Sequence, residues 1–497
     1  MAKTIRIGSV PLTLEDLRAA SRGRLRAEFV PGALERIDKG RAALTALVES
    51  GQRLYGVNTG VGGNIKFALS PEDAEALQHN LLRHLSCATG QPLPDDVVRG
   101  AMLLRLATFA TGCSGVRVEL CRALLDLLNA GVTPIVPRYG SVGASGDLMP
   151  SAYIARVLIG MGEAVFNGER LPATKALQRA GLKPIALAPK EGLALINGTA
   201  VMTSAAALVL LDAQRVLQAL LQAITLATEA VEVPTEPYEA FVHEVKGHPG
   251  QIAVAAFMRH QLRGTRLNVD QGGQSCYTLR CGPQGLGPAW EAFDQARPTI
   301  EREMNSANDN PLVDPESGAL YRAGNFYGGH IARALDSWKI DFAIMGNWIN
   351  SLMAVLVDAR FNNGLPANLV PNPGVNSGMK GLQLSVTSLA CAIRQMAGPS
   401  SIHSLPTEEY NQDVVSLGMH AAVTAMDALE CLKNQVAMAL IAAAQAIDLR
   451  GCSERLGQGN RDSYEEIRRL SAFLDRDRPL ELEIAAVARW ITEPPEP

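Results

Sequence analysis

The sequence predicts a mainly α-helical protein, an elongated bundle of long helices joined to a loop-rich, mixed N-terminal region. The chain has 497 residues and a hydrophobic fraction of 47%, which is enough to bury a large core. Strand patterns are few and short, for example at 4–7 and 164–166, and do not alternate with helices along the chain. Five long segments rich in Ala, Leu, Met and Gln lie at about 200–231, 293–309, 328–358, 376–396 and 415–449. Helices of this length and composition must bury their apolar stripes against one another.

Two regions differ in character along the chain. Residues 1–197 alternate short helical patterns with glycine-rich loops at 56–63 and 140–146, whereas 198–497 contains the long helices. Loops of this kind often carry function on a rigid scaffold. We therefore expect an N-terminal region with the functional loops and a C-terminal helical bundle.

Charge and hydropathy argue against nucleic-acid binding and membrane association. The net charge of −4, with acidic and basic residues interspersed, provides no basic face for nucleic acid and no polybasic stretch for a membrane. The most apolar long stretch, 204–229, is interrupted by polar residues and predicts a buried bundle helix. The N-terminal residues lack the apolar run of a secretory signal, which favours a cytoplasmic protein with a small-molecule substrate.

Metal, thiol and nucleotide chemistry have no support in the spacing of the residues. The eight cysteines are scattered without CxxC pairs, and the histidines form no HExxH pattern. The glycine loops match neither GxGxxG nor GxxxxGK[ST]. The sequence therefore predicts no metal and no nucleotide.

The segment Gly140–Leu148 concentrates small residues where the chain can fold sharply. Its Ala144-Ser145-Gly146 tripeptide can cyclise, because glycine leaves its nitrogen uncrowded and permits strained dihedrals. The Gly146 nitrogen attacks the Ala144 carbonyl, and loss of water there and from the Ser145 side chain leaves an exocyclic alkene. The product is an electrophile that needs no bound cofactor, although a plain turn is the simpler interpretation of three common residues.

The surrounding residues decide between these interpretations. The segment GSVGASGDL resembles that of the histidine, phenylalanine and tyrosine ammonia-lyase family, in which it becomes 4-methylidene-imidazol-5-one. Nearly the whole chain resembles the family, in the blocks LYGVNTGVG (54–62), LINGTAVM (195–202), YTLRCGPQ (277–284), EMNSANDNPL (303–312), GNFYGG (324–329) and NQDVVSLG (411–418). The resemblance implies that this prosthetic group forms autocatalytically from Ala144, Ser145 and Gly146, without metal or nucleotide.

The reaction requires removal of ammonia from the α-carbon and of a weakly acidic proton from the β-carbon. By resemblance, Tyr55 is the base that takes this proton, provided that positive potential lowers the pKa of its phenol. The nearby glycines suggest a mobile lid. Gly62, in the same block, is a candidate substrate-binding residue. The alternative for Tyr55 is an aromatic residue that only packs the loop.

Further site residues follow from the same resemblance. Arg280 matches the position that clamps the substrate carboxylate, with Asn310 in support. Tyr277 precedes Arg280 by one helical turn, lines the site beside the electrophile, and shares its face if 277–280 is helical.

The resemblance also assigns residues to the prosthetic group and the substrate ring. Asn197 and Gln284 orient the prosthetic group, and Phe326 lies near the electrophile and the ring. Ser275 follows Gln274 where the family often has Asp, so the hydrogen bonds near Tyr277 can differ here.

Substrate choice depends on His84 and Leu85, which follow the QHNLL block. A histidine there can hydrogen-bond a para-hydroxyl, and a buried imidazole left unpaired opposite a phenyl ring would cost binding energy. The pair resembles that of tyrosine ammonia-lyases. Gln412 is a further substrate-binding candidate and replaces the glutamate of histidine-specific members.

These observations predict a tyrosine ammonia-lyase that makes trans-p-coumarate and also accepts phenylalanine. The alternatives are a tyrosine or phenylalanine 2,3-aminomutase, a phenylalanine- or histidine-specific ammonia-lyase, and, more remotely, a non-catalytic helical scaffold. By resemblance, the assembly is a homotetramer whose active sites are shared between subunits.

Overall fold

A computed structural model describes residues 4–267 and 275–493. Helices dominate these residues, which confirms the predicted mainly α fold. The helices are α1 Leu14–Ser21, α2 Pro31–Glu49, α3 Pro71–His84, α4 Asp95–Ala110, α5 Val118–Asn129, α6 Leu148–Leu158, α7 Ala173–Arg179, α8 Glu191–Ile196, α9 Ala200–Val231, α10 Ala240–Glu244, α11 Pro249–Gln261, α12 Tyr277–Arg280, α13 Gly282–Met304, α14 Gly329–Val357, α15 Lys380–Met396, α16 Gly418–Arg450, α17 Gln458–Leu470 and α18 Glu481–Thr492.

The strands are short. They are β1 Ile5–Ile7, β2 Ala27–Phe29, β3 Thr89–Pro92, β4 Thr133–Pro134, β5 Pro137–Tyr139, β6 Glu163–Phe166, β7 Glu169–Pro172, β8 Leu312–Val313 and β9 Leu320–Tyr321. β1 and β2 pair in parallel, whereas β3–β5, β4–β6–β7 and β8–β9 are antiparallel. The predicted strands at 4–7 and 164–166 correspond to β1 and β6.

The chain divides into two units that interleave in sequence. The first comprises residues 1–208, 297–335 and 399–423, and the second 209–296, 336–398 and 424–497. The predicted division into 1–197 and 198–497 stays a prediction. The first unit takes two later segments as well, which contain ends of the long helices and the loops between them.

Helix α9 is apolar because it is a core element. Among the described residues, α9 and α14 are long and apolar enough to cross a membrane by length and composition alone. However, 83% of the most apolar stretch of α9 is buried within the protein. The stretch predicted at 204–229 is therefore a buried helix. In the second unit, the Phe293 ring packs 6.2 Å from those of Trp338 and Phe342, which joins α13 to α14.

Helix α3 carries the predicted specificity residues at its C-terminal end. It begins after Ser70, whose hydroxyl accepts the Asp73 amide, with Pro71 in the first turn. The Gln78 side chain is fully buried, accepts the Leu193 amide at 3.2 Å and donates to the Ala74 carbonyl at 3.1 Å. This amide fixes α3 against α8.

Candidate active site

The Ala144-Ser145-Gly146 tripeptide forms a tight turn at the start of α6. Gly143 and Gly146 have φ of +80° and +73°, conformations that favour glycine. The backbone folds back so that Gly146 pairs with both Gly143 and Ala144. The Ser141 hydroxyl donates to the Gly146 carbonyl at 2.9 Å and accepts the Gly143 amide at 3.1 Å. The turn is therefore held in a compact shape by its own residues.

Gly198 packs against this turn and leaves no space for a side chain. A Cβ placed on Gly146 would lie 2.0 Å from the Gly198 carbonyl oxygen and 3.0 Å from that of Phe326. The small Ala144 and half-buried Ser145 lie on the cavity side of the turn. Formation of 4-methylidene-imidazol-5-one needs a sharply bent Ala-Ser-Gly segment. The compact turn, the glycine backbone behind it and Ser145 at the cavity fit this requirement.

Asp147, directly after the tripeptide, is a buried carboxylate that sequence reasoning quoted within the motif but gave no role. Its Oδ2 accepts the amides of Val201 and Met202 at 2.8 and 2.9 Å, at the N-terminus of α9. Its Oδ1 has no partner among the described residues. Burial raises the pKa of this carboxyl to about 7, against the lowering effect of the two amides and of Arg105.

A cavity of about 420 Å³ opens over the tripeptide in the first unit. It is large enough for an aromatic amino acid. Eight of the predicted site residues line it: Tyr55, Gly62, His84, Leu85, Ala144, Ser145, Gly146 and Gln412. The first unit thus brings the proposed base, the proposed electrophile and the specificity pair to one cavity.

Tyr55 is held by the loop that carries it. Its phenolic oxygen accepts the Gly62 amide at 2.9 Å, and the neighbouring Leu54 and Val57 are buried. A Cβ on Gly56, which has φ of +65°, would lie 2.4 Å from the Leu193 side chain. Lid motion remains a prediction, but the residues around Tyr55 are anchored in this arrangement.

The electrostatics of Tyr55 differ from the expectation. Burial raises the pKa of its phenol, and the Glu408 charge raises it further. The Gly62 amide and Arg322 act in the opposite direction but are weaker. The lowered pKa on which the assignment of Tyr55 as base depends is not found within one chain, because the loop buries the phenol and Glu408, from the segment after residue 407, places a carboxylate nearby.

Glu408 is a cavity residue that sequence reasoning missed. Its Oε1 accepts the Gly63 amide at 3.3 Å, and its Oε2 accepts the Asn411 side chain at 3.1 Å. It lies just before the NQDVVSLG block, and no spacing rule singled it out. It joins the loop after residue 407 to the loop that carries Tyr55.

His84 and Leu85 lie at the C-terminal end of α3 and line the cavity together. The His84 Nδ1 lies 3.1 Å from the Asn80 carbonyl, which can only accept, so Nδ1 carries a proton in this contact. A neutral ring in this position presents Nε2 as an acceptor. Leu85 is buried, but His84 is exposed in the single chain, contrary to the expected burial, because it lies at the open end of the helix.

Gln412 faces the cavity from a short turn. Its Oε1 lies 2.9 Å from the Thr407 hydroxyl, and the backbones of the two residues pair across the turn. The cavity wall therefore carries a neutral amide here.

Three further predicted residues lie in the first unit outside the cavity lining. Asn197 is buried, and its Oδ1 has no partner among the described residues. Asn310 is also buried and accepts the Ala323 amide at 2.9 Å. Phe326 is half-buried, and its backbone carbonyl lies against Gly146.

Tyr277, Arg280 and Gln284 belong to the second unit and do not line this cavity. Residues 277–280 are helical as expected, and the Arg280 guanidinium lies 4.9 Å from the centre of the Tyr277 ring. Tyr277 is 70% exposed, and the Gln284 Oε1 has no partner within the described part of the chain. Gln274, where the departure from the family begins, lies outside the described residues.

Comparisons with known proteins agree on the family. A family profile described as aromatic amino acid lyase matches residues 12–469. Histidine ammonia-lyase 1 of Fusobacterium nucleatum is 38% identical, over 97% of this chain and 94% of that protein. The phenylalanine aminomutase of Pantoea agglomerans superposes with a TM-score of 0.93 at 30% identity, covering 98% of this chain and 99% of its own. The tyrosine aminomutase of Streptomyces globisporus gives 0.93 at 33% identity, covering 99% and 97%.

Proposed function

The chain belongs to the aromatic amino acid lyase family, and on that premise we propose that it eliminates ammonia from L-tyrosine to give trans-p-coumarate. The observation that carries the choice of tyrosine is the position of His84. Its Nδ1 is bound to the Asn80 carbonyl, so its Nε2 lone pair can accept a para-hydroxyl proton at the cavity wall. Phenylalanine, which lacks the hydroxyl, would be a poorer substrate of the same cavity.

The tripeptide would supply the electrophile. A methylidene-imidazolone held at Ala144, Ser145 and Gly146 would supply electrophilic activation of the substrate amine. The residues Ala144, Ser145 and Gly146 fit this role because the turn is compact and the Gly198 backbone packs directly behind Gly146.

Tyr55 would take the β-proton. Its phenolic oxygen already receives one hydrogen bond, from the Gly62 amide, which favours the charged form of the phenol. Proton transfer to a positioned base contributes roughly 10²- to 10⁴-fold in rate. Gly62 thus acts on the substrate through Tyr55 as well as by lining the cavity.

The carboxylate clamp would come from Arg280, with Tyr277 beside it. In the single chain neither lines the cavity, and Tyr277 is largely exposed. We propose that these residues and Gln284 reach the substrate from neighbouring subunits of a homotetramer. Asn310, Asn197 and Phe326 would support the carboxylate, the prosthetic group and the substrate ring.

The proposal also includes a cytoplasmic location and no protein, nucleic-acid or membrane partner beyond the tetramer itself. All eight cysteines are free, which suits a reducing compartment.

Histidine is the main competing substrate, because relatives such as the Fusobacterium protein are named histidine ammonia-lyases. Gln412 favours tyrosine over histidine, because a neutral amide attracts an imidazolium less than a carboxylate does. Glu408 also lines the cavity, however, so this preference rests on His84 and Gln412 together.

An aminomutase is the second candidate, favoured by the similarity to the Pantoea and Streptomyces structures. It would return ammonia to the β-carbon instead of releasing it. Incubation with L-tyrosine and chromatographic separation of early products distinguishes the two. We expect p-coumarate and free ammonia in equal amounts, whereas β-tyrosine as the dominant early product would overturn the lyase assignment.

A further inference from the structure

The Gly198 peptide clamps the tripeptide from both sides of Gly146. Its amide donates to the Ser145 carbonyl at 3.3 Å, and its carbonyl accepts the Asp147 amide at 2.7 Å. The same carbonyl would lie 2.0 Å from a Cβ on Gly146. The position of Gly198 therefore sets how tightly residues 145–147 are bent.

Arg105 holds Gly198 from the opposite side. It lies on α4, is 3% exposed, and its Nη1 donates to the Asn308 carbonyl at 3.4 Å. A Cβ on Gly198, which has φ of +137°, would lie 2.5 Å from Nη2 of Arg105 and 2.2 Å from the Asn308 carbonyl oxygen. Gly198 is thus enclosed between the tripeptide and a wall formed by these two residues.

The Arg105 guanidinium makes few hydrogen bonds for a group so deeply buried. Its Nε and Nη2 have no hydrogen-bond partner among residues 4–267 and 275–493. By contrast, Arg99, on the same helix, donates to the carbonyls of Ser21 and Ala20 at 2.9 and 3.4 Å. Burying a cation with unpaired donors costs stability. Its unpaired Nη2 faces Gly198, so its positive potential acts on the peptide that clamps the tripeptide.

We propose that Arg105 is a positioning residue for the cyclisation of the tripeptide. This rests on the proposed function, because it concerns how that electrophile is made. Arg105 does not touch the reacting atoms. It acts through Gly198, by fixing this peptide and strengthening its amide as a hydrogen-bond donor.

The atoms of the cyclisation show where this donor acts. The Gly146 nitrogen forms a bond to the Ala144 carbonyl carbon and gives up its proton, and the former carbonyl oxygen leaves as water with the Ser145 amide proton. The Ser145 Cα proton and Cβ hydroxyl then leave as a second water, which forms the alkene. Loss of the Cα proton places negative charge on the Ser145 carbonyl oxygen, the atom that accepts the Gly198 amide.

The test measures maturation, which is the cyclisation and dehydration of residues 144–146, rather than the rate of the catalysed reaction. The variants are Arg105→Met, Arg105→Lys and the matched control Arg99→Met, each purified as the full chain. Mass spectrometry of the peptide containing residues 144–146 shows whether it is lighter by two water molecules. We expect complete loss of two waters in the wild type and Arg99→Met, retention of both in Arg105→Met, and partial maturation in Arg105→Lys, which keeps the charge.

Thermal unfolding separates positioning from general destabilisation. Arg105→Met is expected to retain both waters, and Arg99→Met to lose them, even at comparable unfolding midpoints. Normal maturation of a folded Arg105→Met chain would overturn the proposal. If that variant does not fold, Arg105→Lys decides, and a wild-type maturation rate in it would equally overturn the proposal. A wild-type chain that keeps both waters would instead contradict the proposed function itself.

Discussion

The Gly62 amide donates a 2.9 Å hydrogen bond to the phenolic oxygen of Tyr55. This bond lies within a single loop, so the loop that presents the proposed base also supplies a donor that stabilises its charged form. Burial and Glu408 act against it and raise the pKa of the phenol. A base with a raised pKa is deprotonated in a larger fraction of molecules as the pH increases.

Tyr55→Phe is therefore expected to lower kcat by roughly 10²- to 10⁴-fold, because it removes the proton acceptor. In the wild type, kcat is expected to increase with pH across the alkaline range, and this increase should be absent in Tyr55→Phe. Initial rates at saturating substrate, measured across the pH range, give kcat and its pH dependence. Tyr321→Phe, an exposed tyrosine outside the cavity, is the control. An unchanged kcat in Tyr55→Phe would exclude this residue as the base.

His84→Phe is expected to shift selectivity from tyrosine toward phenylalanine. The lost hydrogen bond contributes about 0.5–1.5 kcal/mol, which corresponds to roughly a 2- to 12-fold change in the ratio of kcat/KM values. Steady-state kinetics on both substrates give this ratio. His79→Phe on the same helix, outside the cavity lining, serves as the control. The same ratio in wild type and His84→Phe would remove His84 from the specificity argument.

The raised pKa of Asp147 predicts that the free energy of unfolding depends on pH. Its folded pKa of about 7 lies above the ordinary value near 4 of the unfolded chain. The contribution of Asp147 to the free energy of unfolding is then greatest below about pH 4. It falls as the pH rises from about 4 to about 7, by up to about 4 kcal/mol in total. Asp147→Asn should remove this dependence, so the unfolding midpoint of the variant minus that of the wild type should become more positive from about pH 4 to about pH 7 and change little above it. A difference independent of pH would contradict the raised pKa.

Shared active sites predict complementation between inactive variants. Ser145→Ala and Arg280→Met should each be inactive alone, whereas their coexpression should restore up to about a quarter of the activity if subunits assemble at random. Ser145→Ala with Tyr55→Phe is the matched control, because both residues line one cavity of the same chain. Equal activity of the two mixtures would argue against sites shared between subunits.

Periodicity in the sequence was sufficient to predict the long helices. The segments predicted at 200–231, 328–358 and 415–449 correspond to α9, α14 and α16, because long apolar segments with helical periodicity leave a clear pattern. The segment predicted at 293–309 instead begins earlier, at Gly282, and ends at Met304, because glycines and a proline in its first turn weaken the helical pattern.

The site was only partly predictable. Tyr55, His84 and Ser145 stand in recognisable blocks and line one cavity. By contrast, Glu408 and Arg105 act through positions that become neighbours only in the folded chain, so no local pattern marks them. The pKa of Tyr55 was also beyond sequence reasoning, since it depends on burial and on a carboxylate distant along the chain.

The most direct test of the central claim is a side-by-side measurement of kcat/KM for L-tyrosine, L-phenylalanine, L-histidine and L-dihydroxyphenylalanine with the purified wild-type enzyme. We expect the highest value for tyrosine, with trans-p-coumarate as the product and phenylalanine second. A higher value for histidine than for tyrosine would contradict it.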